Sequence, residues 1–246
     1  VSEGDNMEIE QFNELMNFYA KKLNIVFSEK QIKQFFKYMN LLIEWNNKIN
    51  LTAIIEPKEI ILKHFIDSLT INKYIEQNKI LVDVGTGAGF PGIAVKIYRP
   101  DVKVVLVDSL NKRINFLNEV IKELQLENIQ TIHSRVAEFG KNKKYRESFD
   151  IVTARAVANL TVLSEYLLPL AKLNGKCICM KGSEIEEEIN NSKNAISILG
   201  GKIEKINQFK LPDSDINRNI IIIDKIKNTP GKYPRKPGTP AKEPLI

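Results

Sequence analysis

The chain has 246 residues, 43% of them hydrophobic and 27% charged, which is enough for one substantial core with small additions. No stretch approaches the roughly 20 apolar residues of a membrane span, and the beginning lacks the order of a secretory signal. We therefore expect a cytoplasmic protein without a membrane partner. The net charge of +6 is compatible with a polyanionic partner but does not by itself require one.

The first 78 residues are predicted to form a helical extension. The six residues before Met7 carry no pattern and are left out of the prediction. Apolar residues at three- and four-residue spacing predict a helix over 9–23. Ser28 and Gln31 have the spacing of a capping box at the start of a second helix, and Pro57 suits the first turn of a third.

Residues 79–228 alternate short β-rich runs with helical patterns, which is typical of an α/β fold with a doubly wound, mostly parallel sheet. Four consecutive isoleucines in the last run predict a strand in the interior of that sheet. We expect seven strands. The predicted runs are 80–84, 103–107, 129–133, 149–153, 176–180, 201–209 and 219–226.

Residues 229–246 form a tail of different composition, with five of the ten prolines of the chain and several basic side chains. This density of proline predicts neither a helix nor a central strand, so we expect an extended basic tail. The chain is thus divided into a helical extension (1–78), an α/β domain (79–228) and a proline-rich tail (229–246).

A glycine-rich turn, LVDVGTGAGFPG (81–92), follows the first predicted strand directly and is the strongest local motif. Gly85, Gly87 and Gly89 allow a sharp turn and let a ligand lie against bare backbone. Gly87, Gly89 and Gly92 also match the dinucleotide fingerprint, but the first glycine then comes two residues late. Gly85, Gly87 and Gly89, with Asp83 just inside the end of the strand, instead resemble the first motif of S-adenosylmethionine enzymes, whose cofactor has no pyrophosphate and carries a cationic end that Asp83 can face.

Two further positions follow the second and third strands, at the same edge of the sheet. Asp108 ends the apolar run VVLVD, where a carboxylate can accept the hydroxyl protons of a ribose. The alternative is an N-cap for the helix near Asn111. Ala137 and Glu138 stand where an adenine ring would be bordered, although Glu138 can equally be a solvated surface residue.

The segment after the fourth strand, FDIVTARAVAN, indicates the reaction class. It contains neither an Asn/Asp-Pro-Pro-aromatic motif for an exocyclic amine nor a Pro-Cys nucleophile for a pyrimidine. An acceptor that is already nucleophilic, such as guanine N7, needs positioning rather than a base. We predict Arg155 as the catalytic residue, holding the cofactor or the base through its planar donors, with a structural salt bridge as the alternative.

Other candidate side chains are weaker. Lys181 lies at the same predicted edge and is either a phosphate contact or an ordinary surface lysine. His64 and His133 lack the partners of a catalytic histidine. Cys177 and Cys179 are predicted to share one face of a strand as reduced core residues, and we expect no metal site.

An ordered set of motifs resembles the bacterial small-subunit ribosomal RNA guanine-N7 methyltransferase family, also known as glucose-inhibited division protein B. The resemblance covers nearly the whole chain and implies a class I, Rossmann-like methyltransferase fold, for which seven strands are expected. The motifs are NKINLTAI (47–54), HFIDSL (64–69), DVGTGAGFPGI (83–93), DSLNKRINFL (108–117), TARAV (153–157) and YPRKPGTPAKEPL (233–245).

The resemblance also implies a substrate and a set of contacts. The cofactor would be S-adenosylmethionine and the acceptor N7 of guanine 527, in conventional numbering, of 16S ribosomal RNA or an assembling small subunit. Gly85 and Phe90 would contact the cofactor, Ala137 and Glu138 its adenosine, and Arg155 the space between cofactor and base. In the tail, phosphates would be contacted by Arg235, Lys236 and Lys242, with Tyr233 available for stacking.

Two other functions are compatible with parts of the sequence. An NAD-dependent oxidoreductase would share the glycine turn and Asp108, but it needs an acid–base group that the chain does not offer. A ribosome-binding protein without catalysis would keep the fold, although the intact loop and Arg155 argue against it. For the methyltransferase we expect a monomer.

Overall fold

A computed structural model of the chain describes residues 7–245. The six residues before Met7, which were left out of the prediction, lie outside the described residues. The fold has a seven-stranded sheet in the order β3-β2-β1-β4-β5-β7-β6, and it confirms the α/β, mostly parallel arrangement. The strands are β1 (Ile80–Val84), β2 (Lys103–Asp108), β3 (Ile129–His133), β4 (Phe149–Arg155), β5 (Ala171–Lys181), β6 (Gly201–Lys210) and β7 (Asn217–Lys225).

Strands β1 to β5 pair in parallel, whereas β7 pairs antiparallel with both β5 and β6. The four isoleucines Ile220–Ile223 lie in β7 and are buried alternately on the two faces of the sheet, which confirms the predicted interior strand. Strand β5 begins five residues earlier than predicted. Asn174 and Gly175 made its first half resemble a turn, and an irregular register between Phe149 and Ile151 accommodates them.

The N-terminal part is helical, as predicted, and packs on one face of the sheet. The capping box is present: the Gln31 amide donates to Ser28 Oγ, and the Ser28 amide donates to Gln31 Oε1 at 2.9 Å. The helices are α1 (Ile9–Lys21), α2 (Glu29–Ile49), α3 (Pro57–Ile60), α4 (Asp67–Leu69), α5 (Gly92–Tyr98), α6 (Asn111–Glu123), α7 (Val136–Phe139), α8 (Leu160–Leu167), α9 (Glu186–Ile198) and α10 (Thr239–Lys242).

The predicted third helix begins at Pro57 but is not regular. Between α3 and α4 the backbone forms a π-helical turn, Ile61–Ile66, in which the Asp67 amide donates to the carbonyl of Leu62, five residues back. Such widened turns are rare and occur mostly as single turns inside helices. The sequence periodicity of 57–69 gave no sign of this turn, because its apolar side chains suit either geometry.

The tail differs from its prediction. It contains a short helix, α10, whose second residue is Pro240. A proline in the first turn removes no helical hydrogen bond, so the proline content did not exclude a helix there. The tail packs against the face of the sheet that carries α8, and Tyr233 belongs to the apolar core on that face.

Candidate functional site

The glycine turn lies at the carboxyl end of β1, in the middle of the parallel strands. Gly85 and Gly87 have φ of +65° and +61°, a left-handed conformation that side chains disfavour. The amide of Gly85 donates to the carbonyl of Val107, and the amide of Gly87 donates to Asp108 Oδ2 at 2.9 Å. The turn is therefore fastened to the end of β2 on one side.

A cavity of about 310 Å³ opens between this turn and the ends of the neighbouring strands. An added Cβ at Gly85 would lie 2.9 Å from Val157 Cγ2, so the backbone itself forms the wall there. The volume is within the range of small-molecule sites. The cavity is lined by Val84, Gly85, Val107, Asp108, Ser109, Arg113, Ser134, Val136, Ala156 and Val157.

Asp108 is one of the residues that line this cavity. Oδ1 accepts a hydrogen bond from the Leu110 amide at 2.9 Å, and Oδ2 lies 3.4 Å from Arg113 Nη1. The residue before α6 is Leu110, so the alternative N-cap role of Asp108 is not what the structure shows. A carboxylate oxygen has two lone pairs, so Oδ1 can accept a further hydrogen bond beside the one from Leu110. The ribose-binding role of Asp108 stays a prediction.

Ala137 and Glu138, the two positions predicted after the third strand, lie beside the same cavity. Ala137 is buried and Glu138 is exposed, whereas the cavity wall is formed by their neighbours Ser134 and Val136. Sequence reasoning missed Ser134, Val136 and Val157, because small and apolar residues at a strand end carry no chemical signature.

The structure places the side-chain positions of Gly89 and Phe90 against the helical extension, and their predicted cofactor contacts stay a prediction. An added Cβ at Gly89 would lie 2.6 Å from Tyr38 Oη, so this glycine faces the helical extension. The Phe90 ring is buried, with its centroid 4.5 Å from that of His64 and 5.3 Å from that of Tyr38. Their side-chain positions lie away from the cavity, and only the backbone is left for a cofactor contact.

Replacing Gly85 by alanine is expected to weaken the binding of S-adenosylmethionine about tenfold, because the new methyl group moves Val157 into the cavity. Calorimetry with S-adenosylmethionine measures this loss. Gly87→Ala is the matched control, since it has the same left-handed backbone but open space at its Cβ. Equal losses in the two variants would show that backbone strain, and not the cavity wall, sets the affinity.

Asp83 is fully buried under the turn and does not face the cavity, contrary to the expectation from the sequence. Its Oδ2 accepts from Thr86 Oγ1 at 2.6 Å and from the Gly92 amide at 2.8 Å, while Oδ1 has no partner. Burial raises the pKa of Asp83 from 3.8 to about 6, against the lowering effect of these hydrogen bonds. Asp83 therefore stabilises the glycine turn from its buried side, through hydrogen bonds with Thr86 and Gly92.

This raised pKa predicts a pH dependence of stability. Between pH 4 and 6 the folded state holds the Asp83 proton and the unfolded state does not, so the free energy of unfolding falls as pH rises, by roughly 3 kcal/mol. The contribution is complete below pH 3.8 and lost above pH 6. Urea unfolding of Asp83→Asn across this window is expected to lack that decrease; a slope equal to the wild type's would contradict the assignment.

Arg155 ends β4 and points toward the π-helical turn. Its Nη1 donates to the carbonyl of Lys63 at 3.1 Å and lies 3.4 Å from Asp67 Oδ2, and its guanidinium carbon lies 5.0 Å from the centroid of Phe90. The predicted structural salt bridge is thus present. Arg155 also lines a second cavity of about 370 Å³, which leaves its predicted catalytic role open.

His64 supports Arg155 from the same turn. Its Nδ1 lies 3.1 Å from Arg155 Nη2 and its Nε2 lies 2.9 Å from Thr52 Oγ1. Because a guanidinium only donates, Nδ1 must accept, and the proton of the neutral ring is on Nε2. Burial, with Arg155 adding to it, lowers the pKa of His64 to about 3, so the ring is neutral at physiological pH.

The second cavity contains two charged residues that sequence reasoning missed. Asp67 is buried, its Oδ2 accepts from Arg218 Nε at 3.1 Å, and its Oδ1 has no partner among residues 7–245. Arg218 comes from β7 and is 151 positions from Asp67. Asp67 stood in a recognised motif, HFIDSL, without an assigned role, whereas nothing in the local sequence distinguishes Arg218.

Lys181 lies between this second cavity and a wider cleft of about 1070 Å³ beyond β4. Its Nζ donates to the carbonyl of Ala158 and pairs with Glu188. It is therefore not an ordinary surface lysine, and its predicted contact with an RNA phosphate stays a prediction.

The tail residues predicted to bind RNA divide into two groups. Tyr233 is buried in the core, so its ring is not available for stacking, and Arg235 forms a two-pronged ion pair with the buried Glu165, with Nη2 2.7 Å from Oε2. These two residues fasten the tail to α8. Lys236 and Lys242 are exposed, and their RNA-binding role stays a prediction.

Cys177 and Cys179 are buried on one face of β5, as predicted. Burial raises the pKa of Cys179 to about 12 and that of Cys177 also well above its usual value, so neither thiol is a nucleophile at neutral pH. Within residues 7–245, no helix is long and apolar enough to cross a membrane.

Solved structures share this fold. The chain aligns with a SAM-dependent methyltransferase from Aquifex aeolicus with a TM-score of 0.51 and 17% identity, over 68% of this chain and 93% of that one. It also aligns with TrmK of M. capricolum in complex with S-adenosyl-homocysteine, with a TM-score of 0.51 and 22% identity over 65% and 68% of the two chains. These similarities confirm the Rossmann-like fold.

Sequence relatives are much closer. The family model described as GidB, rRNA small subunit methyltransferase G, matches residues 31–221. Proteins named ribosomal RNA small subunit methyltransferase G are similar over nearly their whole length: that of Desulforamulus reducens is 56% identical, covering 92% of this chain and 95% of the relative, and that of Bacillus subtilis is 53% identical, covering 97% and 99%. The resemblance seen in the motifs is thus confirmed, and the chain belongs to the rRNA small subunit methyltransferase G family.

Proposed function

We propose that this protein transfers a methyl group from S-adenosylmethionine to N7 of a guanine in 16S ribosomal RNA, at the position conventionally numbered 527. The relatives are named as small-subunit ribosomal RNA methyltransferases, and the motifs favour the guanine-N7 members. The transfer is a direct in-line attack of the ring nitrogen on the methyl carbon.

The observation that carries this proposal is that the two cavities share a lining residue. Ala156, directly after β4, lines both the glycine-turn cavity and the cavity of Arg155. A donor in the first cavity and a base in the second would therefore meet across one residue. Such adjacency is what an in-line transfer between two bound partners requires.

The residues of the first cavity fit S-adenosylmethionine. Bare backbone at Gly85 leaves room that a Cβ would fill, Asp108 offers carboxylate oxygens to ribose hydroxyls, and Val136 and Val157 give apolar walls for the adenine. When bound, this cofactor supplies an electrophilic methyl group on a sulfonium. The protein's own part is to hold both partners in place.

The second cavity contains no residue suited to remove a proton. Among its described lining residues, neutral His64 uses Nδ1 to accept from Arg155, and Asp67 Oδ2 is held by two guanidinium groups. An exocyclic amine would have to lose a proton during methylation, whereas guanine N7 presents a lone pair. The surroundings therefore favour a ring nitrogen as acceptor.

Arg155 is the positioning group in this mechanism. Its planar fork is held by Lys63, His64 and Asp67 and stacks over Phe90, so little freedom remains to be lost when a base binds.

The test uses 16S ribosomal RNA and small-subunit particles from cells that lack the gene. Purified protein and S-adenosylmethionine are added, and mass spectrometry of nuclease fragments locates any methyl group. We expect one N7-methylguanine, in the fragment containing position 527, on at least one of the two substrates. A methyl group on another atom, or RNA from those cells already carrying N7-methylguanine there, would contradict the proposal.

Calorimetry separates this function from the two alternatives. The proposed enzyme binds S-adenosylmethionine and not NAD. Binding of NAD instead would favour an oxidoreductase, and binding of neither cofactor would favour a ribosome-binding protein without catalysis.

A further inference from the structure

Two chain segments far apart in sequence carry a concentration of positive charge. Residues 141–146 (KNKKYR) and 230–238 (PGKYPRKPG) together contain seven basic side chains and no acidic one, whereas the whole chain has a net charge of only +6. Five of these side chains, Lys141, Lys143, Lys144, Lys232 and Lys236, are exposed. We refer to these five lysines as the basic platform.

The partly buried side chain of Arg146 brings the two segments together. Arg146 Nη1 donates to the carbonyl of Tyr233 at 2.6 Å and lies 3.4 Å from the carbonyl of Gly140, so a single guanidinium group joins both segments. Its Nη2 donates to the carbonyl of Thr229 at 2.7 Å. Pro234 also lies directly against Gly140. The lysines that follow Gly140 and flank Tyr233 therefore share one surface.

The charges of this surface are not neutralised within the protein. In the part of the chain that the structure describes, none of the five lysines forms an ion pair, although Lys22, Lys33, Lys37 and Lys48 on the other face of the sheet all do. Among the neighbouring acids, Glu147 and Glu165 are already paired with Lys225 and Arg235, and the exposed Glu138 and Glu243 form no ion pair with any of the five lysines in the described residues. Unpaired like charges that close together repel unless an anion binds.

The platform begins close to the cofactor cavity. Val136 lines that cavity, and Lys141 is five residues further on, so the two lie within roughly 18 Å even if the chain were fully extended. Lysines act as point charges that attract phosphates without reading bases. Of the two aromatic residues in these segments, Tyr233 is buried and Tyr145 is partly buried, and the ammonium groups of Lys232 and Lys144 each lie 5.2 Å from the centre of the neighbouring ring.

We propose that the basic platform binds the phosphate backbone of the RNA substrate, outside the nucleotide that is methylated. This inference rests on the proposed function for the identity of the RNA. It assigns a docking role to Lys141, Lys143 and Lys144, which no motif indicated, and it explains why the tail is fastened to the body: Tyr233 and Arg235 hold Lys232 and Lys236 in position.

The experiment compares two full-length variants of equal charge. Lys141→Gln/Lys143→Gln/Lys144→Gln removes three platform lysines, and Lys21→Gln/Lys30→Gln/Lys103→Gln removes three exposed lysines elsewhere. Binding of 16S ribosomal RNA is measured between 50 and 200 mM salt, together with kcat and KM for methylation and calorimetry with S-adenosylmethionine.

We expect the platform variant to bind RNA about tenfold more weakly, with the slope of log K against log salt reduced by about 2, because each lost phosphate contact removes roughly 0.7 to 0.9. KM for RNA should rise in proportion, with kcat and cofactor affinity unchanged. The control variant should lose less than twofold. RNA binding equal to the control's would overturn the proposal.

Failure of the platform and failure of the proposed function give different results. If the wild type binds RNA through the platform but methylates no guanine, only the proposed function fails. If it methylates guanine N7 and the platform variant behaves as the control does, only the platform fails. A loss of binding to phosphatidylserine vesicles with unchanged RNA affinity would assign the surface to a membrane and equally reject the proposal.

Discussion

Replacing Arg155 by alanine is expected to lower kcat about 1000-fold, which corresponds to about 4 kcal/mol of transition-state stabilisation. The variant loses a cation over Phe90 and the fork that orients the base, whereas phosphate contacts elsewhere are untouched. RNA affinity should therefore change less than threefold. Single-turnover kinetics with radiolabelled donor, alongside RNA binding, measures both quantities.

Two controls keep this prediction specific. Removal of Arg155 leaves Asp67 with Arg218 as its remaining described ion-pair partner, so part of any loss can come from unfolding, and thermal unfolding must be measured beside activity. Arg155→Lys keeps the charge but not the fork, and should recover only a small part of kcat. Parallel losses of turnover and RNA affinity in Arg155→Ala would rule out the catalytic role.

Replacing Arg235 by alanine is expected to lower the free energy of unfolding by about 4 kcal/mol, since it leaves the buried Glu165 carboxylate without its partner side chain. Guanidinium chloride unfolding measures the loss. Glu165→Gln combined with Arg235→Ala should recover much of it, because a neutral amide is less costly to bury.

This result separates a structural role from an RNA-binding one. Lys236→Ala, one residue further along and exposed, is the matched control and should change stability by less than 0.5 kcal/mol. If Arg235→Ala were as stable as wild type but bound RNA weakly, Arg235 would be a phosphate contact after all.

Much of the fold could be predicted because its signals are local. The strand runs, the capping box at Ser28 and the glycine turn at Gly85 each depend on a few neighbouring residues, and apart from the earlier start of β5 they are found where the sequence placed them. Asp108 and Arg155 were likewise found at the expected edge of the sheet, because parallel strands end together.

What could not be predicted depends on contacts between distant segments. Arg218 reaches Asp67 across 151 positions, and Arg235 reaches Glu165 across 70. Composition indicated that the tail is basic, but not which cations are exposed and which are used for folding. Phe90 was expected at the cofactor because of its position in a motif, whereas its neighbours Tyr38 and His64 belong to another part of the chain.

The π-helical turn makes the length of segment 61–66 more important than its composition. A turn closed by a bond from Asp67 to Leu62 holds one residue more than an α-helical turn would. Deleting any single residue there would restore ordinary helical spacing and remove the widened turn that presents the Lys63 carbonyl and His64 Nδ1 to Arg155. Apolar exchanges at these positions should be tolerated by function, while a one-codon deletion should not.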